Sequence, residues 1–299
     1  MIGTSSWADP GFVRDWYPQE LSAKDRLAYY AERFEIVEVN ATQYQLPELE
    51  TVRRWAAVTP DSFTFDIKLH RLLSRHAAKE RELPPDMREQ LEVNSRGRVK
   101  LTEELEHEVI TRTLDFAAPL RKAGKMGAFL LQLTPGFAPD RSDLEELGPM
   151  LEALAPIAVE FRHRGWVEED RVETTLDFLS DHGAAFVCVD APREVHVPIM
   201  PPIDAVTNKR LAYVRMHGRN ADGYMRGKSV AERFGWIYTD EELNEIAGRV
   251  AGLGEQAAEV HVMFNNNRDD DAPTAARRFR ALLGQDPGPE AGEGQQRLI

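Results

Sequence analysis

Glu160 and Arg162 lie two residues apart in one apolar run, and Arg215 and His217 repeat that spacing in another. Successive side chains of an extended strand point to opposite faces, so each pair shares a face while Val159 and Phe161, or Val214 and Met216, occupy the other. A histidine titrating near neutrality beside a carboxylate can move protons, and guanidinium groups match the geometry of carboxylates and phosphates. Other apolar runs offer Glu38 and Asn40, Asp66 and Lys68, Gln132, Asp190, and His261 or Asn265.

The elements that must bring these residues together are eight short apolar runs that turn polar at their downstream ends. They are Ile2 to Ser6, Glu35 to Asn40, Phe63 to Lys68, Gly127 to Leu133, Ile157 to Arg162, Ala184 to Asp190, Leu211 to His217 and Glu259 to Asn265. The intervals have room for a helix and a crossover, which predicts a parallel sheet closed as a single (β/α)8 TIM barrel with its active site at the strand C-termini. Charges inside a barrel are costly unless paired, so their accumulation on one strand face predicts a shared polar site in the barrel mouth.

Helices are expected at Ala23 to Arg33, Glu48 to Ala57, Thr102 to Arg121 with Thr102 as N-cap, Asp143 to Ala155, Asp170 to Asp181, Asp240 to Leu253 and Ala272 to Leu283. The interval His70 to Lys125 is the longest, and it is broken by Leu83-Pro84-Pro85 and by the turn Asn94-Ser95-Arg96-Gly97. The connection between strands three and four is therefore elaborated, either over the site or as plain surface. Ala191 to Thr207 contains Pro192, Pro198, Pro201 and Pro202, and is expected to cross the barrel mouth as an irregular loop. The barrel is expected over residues 1–284, with 285–299 a disordered tail rich in Gly, Pro, Gln and Glu.

Each candidate has a plainer reading beside the chemical one. Glu160 either transfers protons or neutralises Arg162 and Arg215, and those arginines either recognise an anion or brace loops. Lys68 is an electrostatic catalyst or a salt-bridge partner. His217, followed by Gly218 and Arg219, is the best acid or base candidate, with a satisfied core histidine as the alternative; Asp190 would hold its tautomer or act as a base. His261 lies deeper in its strand and reads as core. Trp7 and Trp166, just past strand ends, either stack on a planar or sugar-like ligand or plug the barrel. Asn265, Asn266 and Asn267 present amides to a ligand or shape a turn. The candidate catalytic set is Glu160, His217, Asp190 and Lys68. The candidate ligand-binding set is Arg162, Arg215, Trp7, Glu38, Asn40, Tyr44, Gln132, Trp166, Asn265 and Asn266.

Composition narrows the function. The 299 residues, 42% hydrophobic and 29% charged, can bury a large core, and a formal net charge of -13 argues against a general polyanion binder while leaving room for a pocket that holds one phosphate. The single cysteine, Cys188, sits in an apolar run and reads as a buried structural thiol in a reducing compartment. No run approaches the roughly 20 apolar residues of a membrane span and the N-terminus has no signal pattern, so a cytoplasmic protein is expected. No His-Glu-x-x-His, Cys-x-x-Cys or Gly-x-Gly-x-x-Gly motif occurs, so no cofactor is indicated. Glu160, Asp190 and His217 have donor chemistry for a divalent metal, but Lys68, Arg162 and Arg215 would crowd positive charge around it.

Several segments carry a likeness to a known family. Gly3-Thr4-Ser5-Ser6-Trp7, Tyr29-Tyr30-Ala31 through Val37-Glu38-Val39-Asn40, Val159-Glu160-Phe161-Arg162-His163 with Trp166, Val214 to Arg219, Tyr238 to Leu243 and Phe264-Asn265-Asn266 resemble the YecE-like proteins, the domain of unknown function 72 family. The resemblance spans Met1 to Leu283 and implies a TIM barrel with no established reaction. Likeness of that family to endonuclease IV and xylose-isomerase-like barrels suggests nucleic-acid or sugar chemistry by fold analogy alone. The chain departs from the family at Ala41-Thr42-Gln43-Tyr44, where Ser-Thr-Phe-Tyr is more frequent. It departs again at Asn267, where a His is common, which removes an acid, base or ligand from that loop.

The leading expectation is an enzyme, a hydrolase or isomerase, acting on a small anionic ligand such as a sugar phosphate or nucleotide fragment. Arg162, Arg215 and Lys68 would hold the anion while Glu160, His217 and Asp190 move protons. One alternative is a nucleic-acid-binding protein or endonuclease IV-like hydrolase that stacks bases on Trp7, Trp166 and Tyr44; another is a non-catalytic interaction scaffold.

Overall fold

All eight polar-ended runs form strands in the computed structural model, which describes residues 1–89, 91–168, 170–194 and 200–289. The strands β1 (Ile2–Thr4), β2 (Ile36–Val39), β3 (Thr64–Lys68), β4 (Met126–Gln132), β5 (Ile157–Glu160), β6 (Ala185–Asp190), β7 (Leu211–Met216) and β8 (Glu259–Phe264) pair in sequence order. Parallel pairing of β8 with β1 closes the barrel. Residues just past the strands keep one ladder bond each: His217 N donates to Asp190 O (2.8 Å) and Asn265 N to Met216 O (2.8 Å). Those bonds hold the first polar residues at the mouth in register with the strands that precede them.

The expected helices flank the strands as α1 (Arg26–Ala31), α2 (Leu49–Val58), α3 (Glu103–Lys122), α4 (Gly148–Ala153), α5 (Val172–Asp181), α8 (Asp240–Gly254) and α9 (Asp271–Leu282). Thr102 caps α3 as expected, its hydroxyl accepting from Leu105 N at 3.2 Å. The helix expected over Asp143 to Ala155 is split into a 3-10 turn, Leu144–Leu147, and α4. Pro149, which lacks an N–H, fits the first turn of a new helix better than the interior of a longer one. Two short helices after β7, α6 (Ala221–Arg226) and α7 (Val230–Phe234), have no counterpart in the sequence reading.

Two connections bear on the site. After β3 the chain is strapped to the next strand by Leu69 N donating to Leu130 O (2.9 Å) and Thr134 N donating to Ser74 O (3.0 Å). That places the start of the long elaboration beside the mouth. Farther out, Val93 bridges Val99 around the expected turn, where Gly97 takes φ +65°. The connection from β6 to β7 is irregular where described, as its prolines require. Its second half runs down the outside of β6 instead of staying over the mouth, however: Phe186 N donates to Thr207 Oγ1 (2.8 Å), and that hydroxyl donates to Ala184 O (2.7 Å). The segment thus takes the place of a crossover helix. Residues 195–199, with Pro198, and 290–299 of the expected tail lie outside the described residues.

Alternation divides β2, β3, β4, β5 and β7 as expected. Val37, Val39, Phe65, Ile67, Phe129, Leu131, Val159 and Phe161 are buried beneath the helices, whereas Glu38, Asp66, Lys68, Gln132, Glu160 and Arg215 are buried on the opposite face, inside the barrel. Cys188 is free and buried, and burial pushes its thiol up to about 12, as befits a structural residue. Among the described residues, no helix is long and apolar enough to cross a membrane.

Candidate functional site

Arg215 is the hub of the barrel interior. Fully buried on β7, it donates from Nε and Nη2 to Glu38 Oε2 (2.9 Å) and Oε1 (2.6 Å), and from Nη1 to Glu160 Oε2 (2.6 Å). Tyr213, two residues earlier on the same face, donates its hydroxyl to Glu38 Oε2 at 3.0 Å. Burial alone would weaken ionisation of Arg215, but Glu38 and Glu160 outweigh it and raise its pKa further. Burial likewise pushes Glu160 upward, yet Arg215, His217 and Arg162 hold this carboxyl well below the usual range. Two glutamates and one guanidinium therefore form a charged layer across the barrel, joining β2, β5 and β7.

Above that layer lies the proton-transfer pair. Glu160 Oε1 accepts from Gln132 Nε2 (2.9 Å) and faces His217 Nε2 at 3.1 Å. The other imidazole nitrogen, Nδ1, is 3.0 Å from Asn265 Nδ2, while Asn265 Oδ1 accepts from Asn267 Nδ2 (3.3 Å). With the Asn265 amide assigned in that sense, His217 is neutral and carries its proton on Nε2, toward Glu160. Burial lowers the His217 pKa, and Arg215 and Arg162 add to that against the opposing pull of Glu160. Gly218 then turns the chain out of the barrel at φ +81°, where a Cβ would come within 2.6 Å of Trp236 Cβ.

The cations at the mouth are less completely matched. Arg162 is 3.6 Å from Glu160 Oε1 through Nη1 and donates from Nη2 to the Tyr224 hydroxyl (3.2 Å), but its buried Nε has no partner among the described residues. Lys68, at the end of β3, is only 6% exposed, and among the described residues its Nζ has no hydrogen bond or ion pair. Burial, Arg215 and Arg162 outweigh Glu38 and Glu160 and bring this amine down to about 7. His76, in the elaboration, is held near 4 by burial and by Lys68, Arg71 and Arg162, and its Nδ1 lies 3.0 Å from Ser74 Oγ.

The structure separates the remaining candidates. Asp190 does not reach the His217 ring. Its carboxylate turns to the helix layer, accepting from Arg219 Nε (3.0 Å) and Nη2 (2.7 Å), from the Tyr238 hydroxyl (2.9 Å) and from Arg249 Nη1 (3.4 Å). Trp166 is buried, stacks on Phe137, packs on Phe161 and donates Nε1 to Phe137 O (2.8 Å), so its ring is committed to packing rather than open to a ligand. Trp7 stays partly exposed and packs edge-on against Trp55, while Tyr44 is 61% exposed. Asn40 donates to Ser5 O (2.6 Å) and Asn266 to Trp236 O (2.8 Å), both bracing backbone. His261 is buried deeper in the barrel against Asp66, as its position in the strand implied.

Sequence reasoning missed Tyr213, Ser5, His76 and Tyr224. Tyr213 was within reach, because it precedes Arg215 by two residues and shares its face. His76 had no such signal, since it belongs to an aperiodic loop. No group of three or more His, Cys, Asp or Glu side chains is placed to hold a metal ion among the described residues. Arg215 occupies the space between the two glutamates on which a cation would otherwise sit.

Residues 1–296 match the model of a family described as "Protein of unknown function DUF72". The chain is 27% identical to UPF0759 protein YunF of Bacillus subtilis (strain 168) over 288 residues, 94% of each chain. It is 30% identical to UPF0759 protein YecE of Escherichia coli (strain K12) over 199 residues, 65% of this chain and 60% of that one. A crystal structure of a DUF72 family protein from Thermotoga maritima MSB8 superposes with a TM-score of 0.75 at 26% identity, covering 95% of this chain and 99% of that one.

Proposed function

The chain belongs to the DUF72 family, whose activity is not established, and within it we propose that this protein is an enzyme acting on a small anionic ligand at the C-terminal end of the barrel. The observation that carries the reading is an imbalance of partners. Both glutamates of the interior are committed, Glu38 to Arg215 and Tyr213, and Glu160 to Arg215, Gln132 and His217. Lys68 Nζ and Arg162 Nε have no acceptor among the described residues. An entering carboxylate or phosphate supplies the acceptors that these donors lack, and charge-assisted bonds of this kind are the strong ones.

In this reading the roles divide by depth. Lys68 and Arg162 hold the anion. Arg215 keeps Glu160 ionised and fixed rather than touching ligand, because all its bonding nitrogens face side chains of the barrel. His217 and Glu160 exchange a proton with the substrate, His217 giving up its Asn265 contact to do so. A sugar phosphate or nucleotide fragment has both the anion and the hydroxyl or carbonyl groups on which such a pair works, which corresponds to an isomerase or hydrolase.

Calorimetric titration with inorganic phosphate and sugar phosphates tests the reading. Wild type is expected to bind, and Lys68→Met or Arg162→Ala to weaken binding by about ten-fold or more each, the equivalent of one strong hydrogen bond. Equal affinity in wild type and both variants overturns it.

A further inference from the structure

Among the described residues two lysines are buried, and they are treated differently. Lys125, at the base of β4, donates Nζ to Ala56 O (2.6 Å), Thr59 O (2.7 Å) and Thr59 Oγ1 (3.3 Å), so its ammonium is fully capped. Lys68 is also buried, but its Nζ has no acceptor among the described residues. The nearby carboxylates are held by other partners and form no ion pair with it among the described residues. Glu38 Oε1 and Oε2 are taken by Arg215 and Tyr213, Glu160 Oε1 by Gln132 and His217, and Glu160 Oε2 by Arg215. The backbone beneath the amine is pinned, with Thr42 Oγ1 donating to Lys68 O at 2.6 Å and Leu69 N donating to Leu130 O at 2.9 Å. An amine on a buried stem, flanked by the Arg215 and Arg162 guanidiniums and with no carboxylate in ion-pair contact among the described residues, favours the neutral form and keeps its lone pair available.

We propose that Lys68 is a nucleophile that forms an imine with the carbonyl carbon of the substrate, so that the ligand class is a phosphorylated or carboxylated aldehyde or ketone. The step balances without an oxidant or reductant. The Nζ lone pair attacks the carbonyl carbon, the C=O π pair moves to oxygen, and one amine proton passes to that oxygen to give a carbinolamine. The hydroxyl then leaves as water while C=N forms. Glu160 acts on the amine electrostatically and bonds His217, which relays the proton in this proposal, and Arg162 holds the anionic end. This inference rests on the anion-site reading for its substrate class but moves Lys68 from the anion to the carbonyl carbon, leaving Arg162 to hold the anion; the amine chemistry stands on the geometry of Lys68.

Reductive trapping tests the proposal: the whole protein is incubated at pH 7 with dihydroxyacetone phosphate or dihydroxyacetone in cyanoborohydride, and adducts are mapped by peptide mass spectrometry. Burial and the neighbouring Arg215 and Arg162 bring the amine from 10.5 to about 7, against Glu38 and Glu160. Its unprotonated fraction then exceeds that of a surface lysine by roughly a thousand-fold, and its labelling is expected to be at least about a hundred-fold faster. The expected result is one fast adduct, located on Lys68 and lost in Lys68→Met, with dihydroxyacetone phosphate trapped more slowly in Arg162→Ala. Adducts spread over surface lysines with Lys68 unmodified in folded wild type overturn the imine. If phosphate titration still depends on Arg162 in that case, the anion reading survives alone. Fast Lys68 labelling that ignores both the phosphate group and Arg162 supports the imine and removes the anion reading.

Discussion

Glu160 with His217 near the C-terminal end of the barrel, and Asp66 with His261 near its N-terminal end, are both buried carboxylate and imidazole pairs, 3.1 and 2.9 Å apart. Their histidines are tuned in opposite directions. Burial opposes the charge on His261, but Asp66 and Glu259 outweigh it and raise this histidine to about 9. Among the described residues Asp66 accepts one further bond, from Ala128 N (2.7 Å), and it fits because Gly127 has no side chain: a Cβ there would lie 2.3 Å from Asp66 Oδ1. At the other end, Glu160 shares its charge with Arg215 and Arg162, and His217 is lowered. A carboxylate left to a histidine makes an ion pair that stabilises, whereas one already divided between guanidiniums leaves the imidazole neutral and ready to trade a proton.

The strongest way to break that contrast is to remove the guanidinium. Arg215→Met leaves two buried glutamates without their shared cation, and urea unfolding is expected to show a loss of about 3–5 kcal/mol. Histidine NMR on the folded variant should show the His217 pKa rising, as at the His261 pair. A loss no larger than that of a surface substitution contradicts the hub role of Arg215.

The lower pair predicts a pH dependence of stability. The folded pKa of His261, about 9, lies above the ordinary histidine value of 6.5, so the contribution is complete below pH 6.5 and fades as pH rises through 9. Its size is up to about 3 kcal/mol. Lys68, lowered to about 7, contributes in the opposite sense over the same window, so the test is made in a Lys68→Met background: unfolding at pH 6 and pH 9.5 should reveal the loss, and adding Asp66→Asn should remove most of the difference. A stability that rises over this window in that background would reverse the assignment.

Asp190 sharpens the comparison between bracing and chemistry. Asp190→Asn is expected to cost about 1–3 kcal/mol by weakening the bonds from Arg219 and Tyr238, while phosphate affinity at Lys68 and Arg162 changes by less than about two-fold. A large affinity loss with stability intact would return Asp190 to the site. The smallest effect is expected at exposed Tyr44, where Tyr44→Ala should alter stability by no more than about 0.5 kcal/mol; any consequence should appear in ligand titration alone.

Much of this architecture was legible in the chain. Val159, Glu160, Phe161 and Arg162 announce by alternation which side chains enter the barrel, and Thr102 announces the start of α3. The split before Pro149, the helices α6 and α7 and the path of Ala205 to Thr207 along β6 were not legible, because short segments with weak periodicity take their conformation from what they pack against. The same holds for the site. Asp190 and His217 stand at adjacent strand ends, and only the turn at Gly218 shows that Arg219 folds back to claim the carboxylate.

Local periodicity and turn chemistry, which act over a few residues, determined the eight strands, their order and the polar inner face. The partners were decided by tertiary structure alone. Glu38 and Arg215 are 177 residues apart, and whether a carboxylate meets one cation, two or none depends on the stagger of strands around a closed barrel. That stagger commits Glu38 and Glu160 to Arg215 and leaves Lys68 Nζ without an acceptor among the described residues.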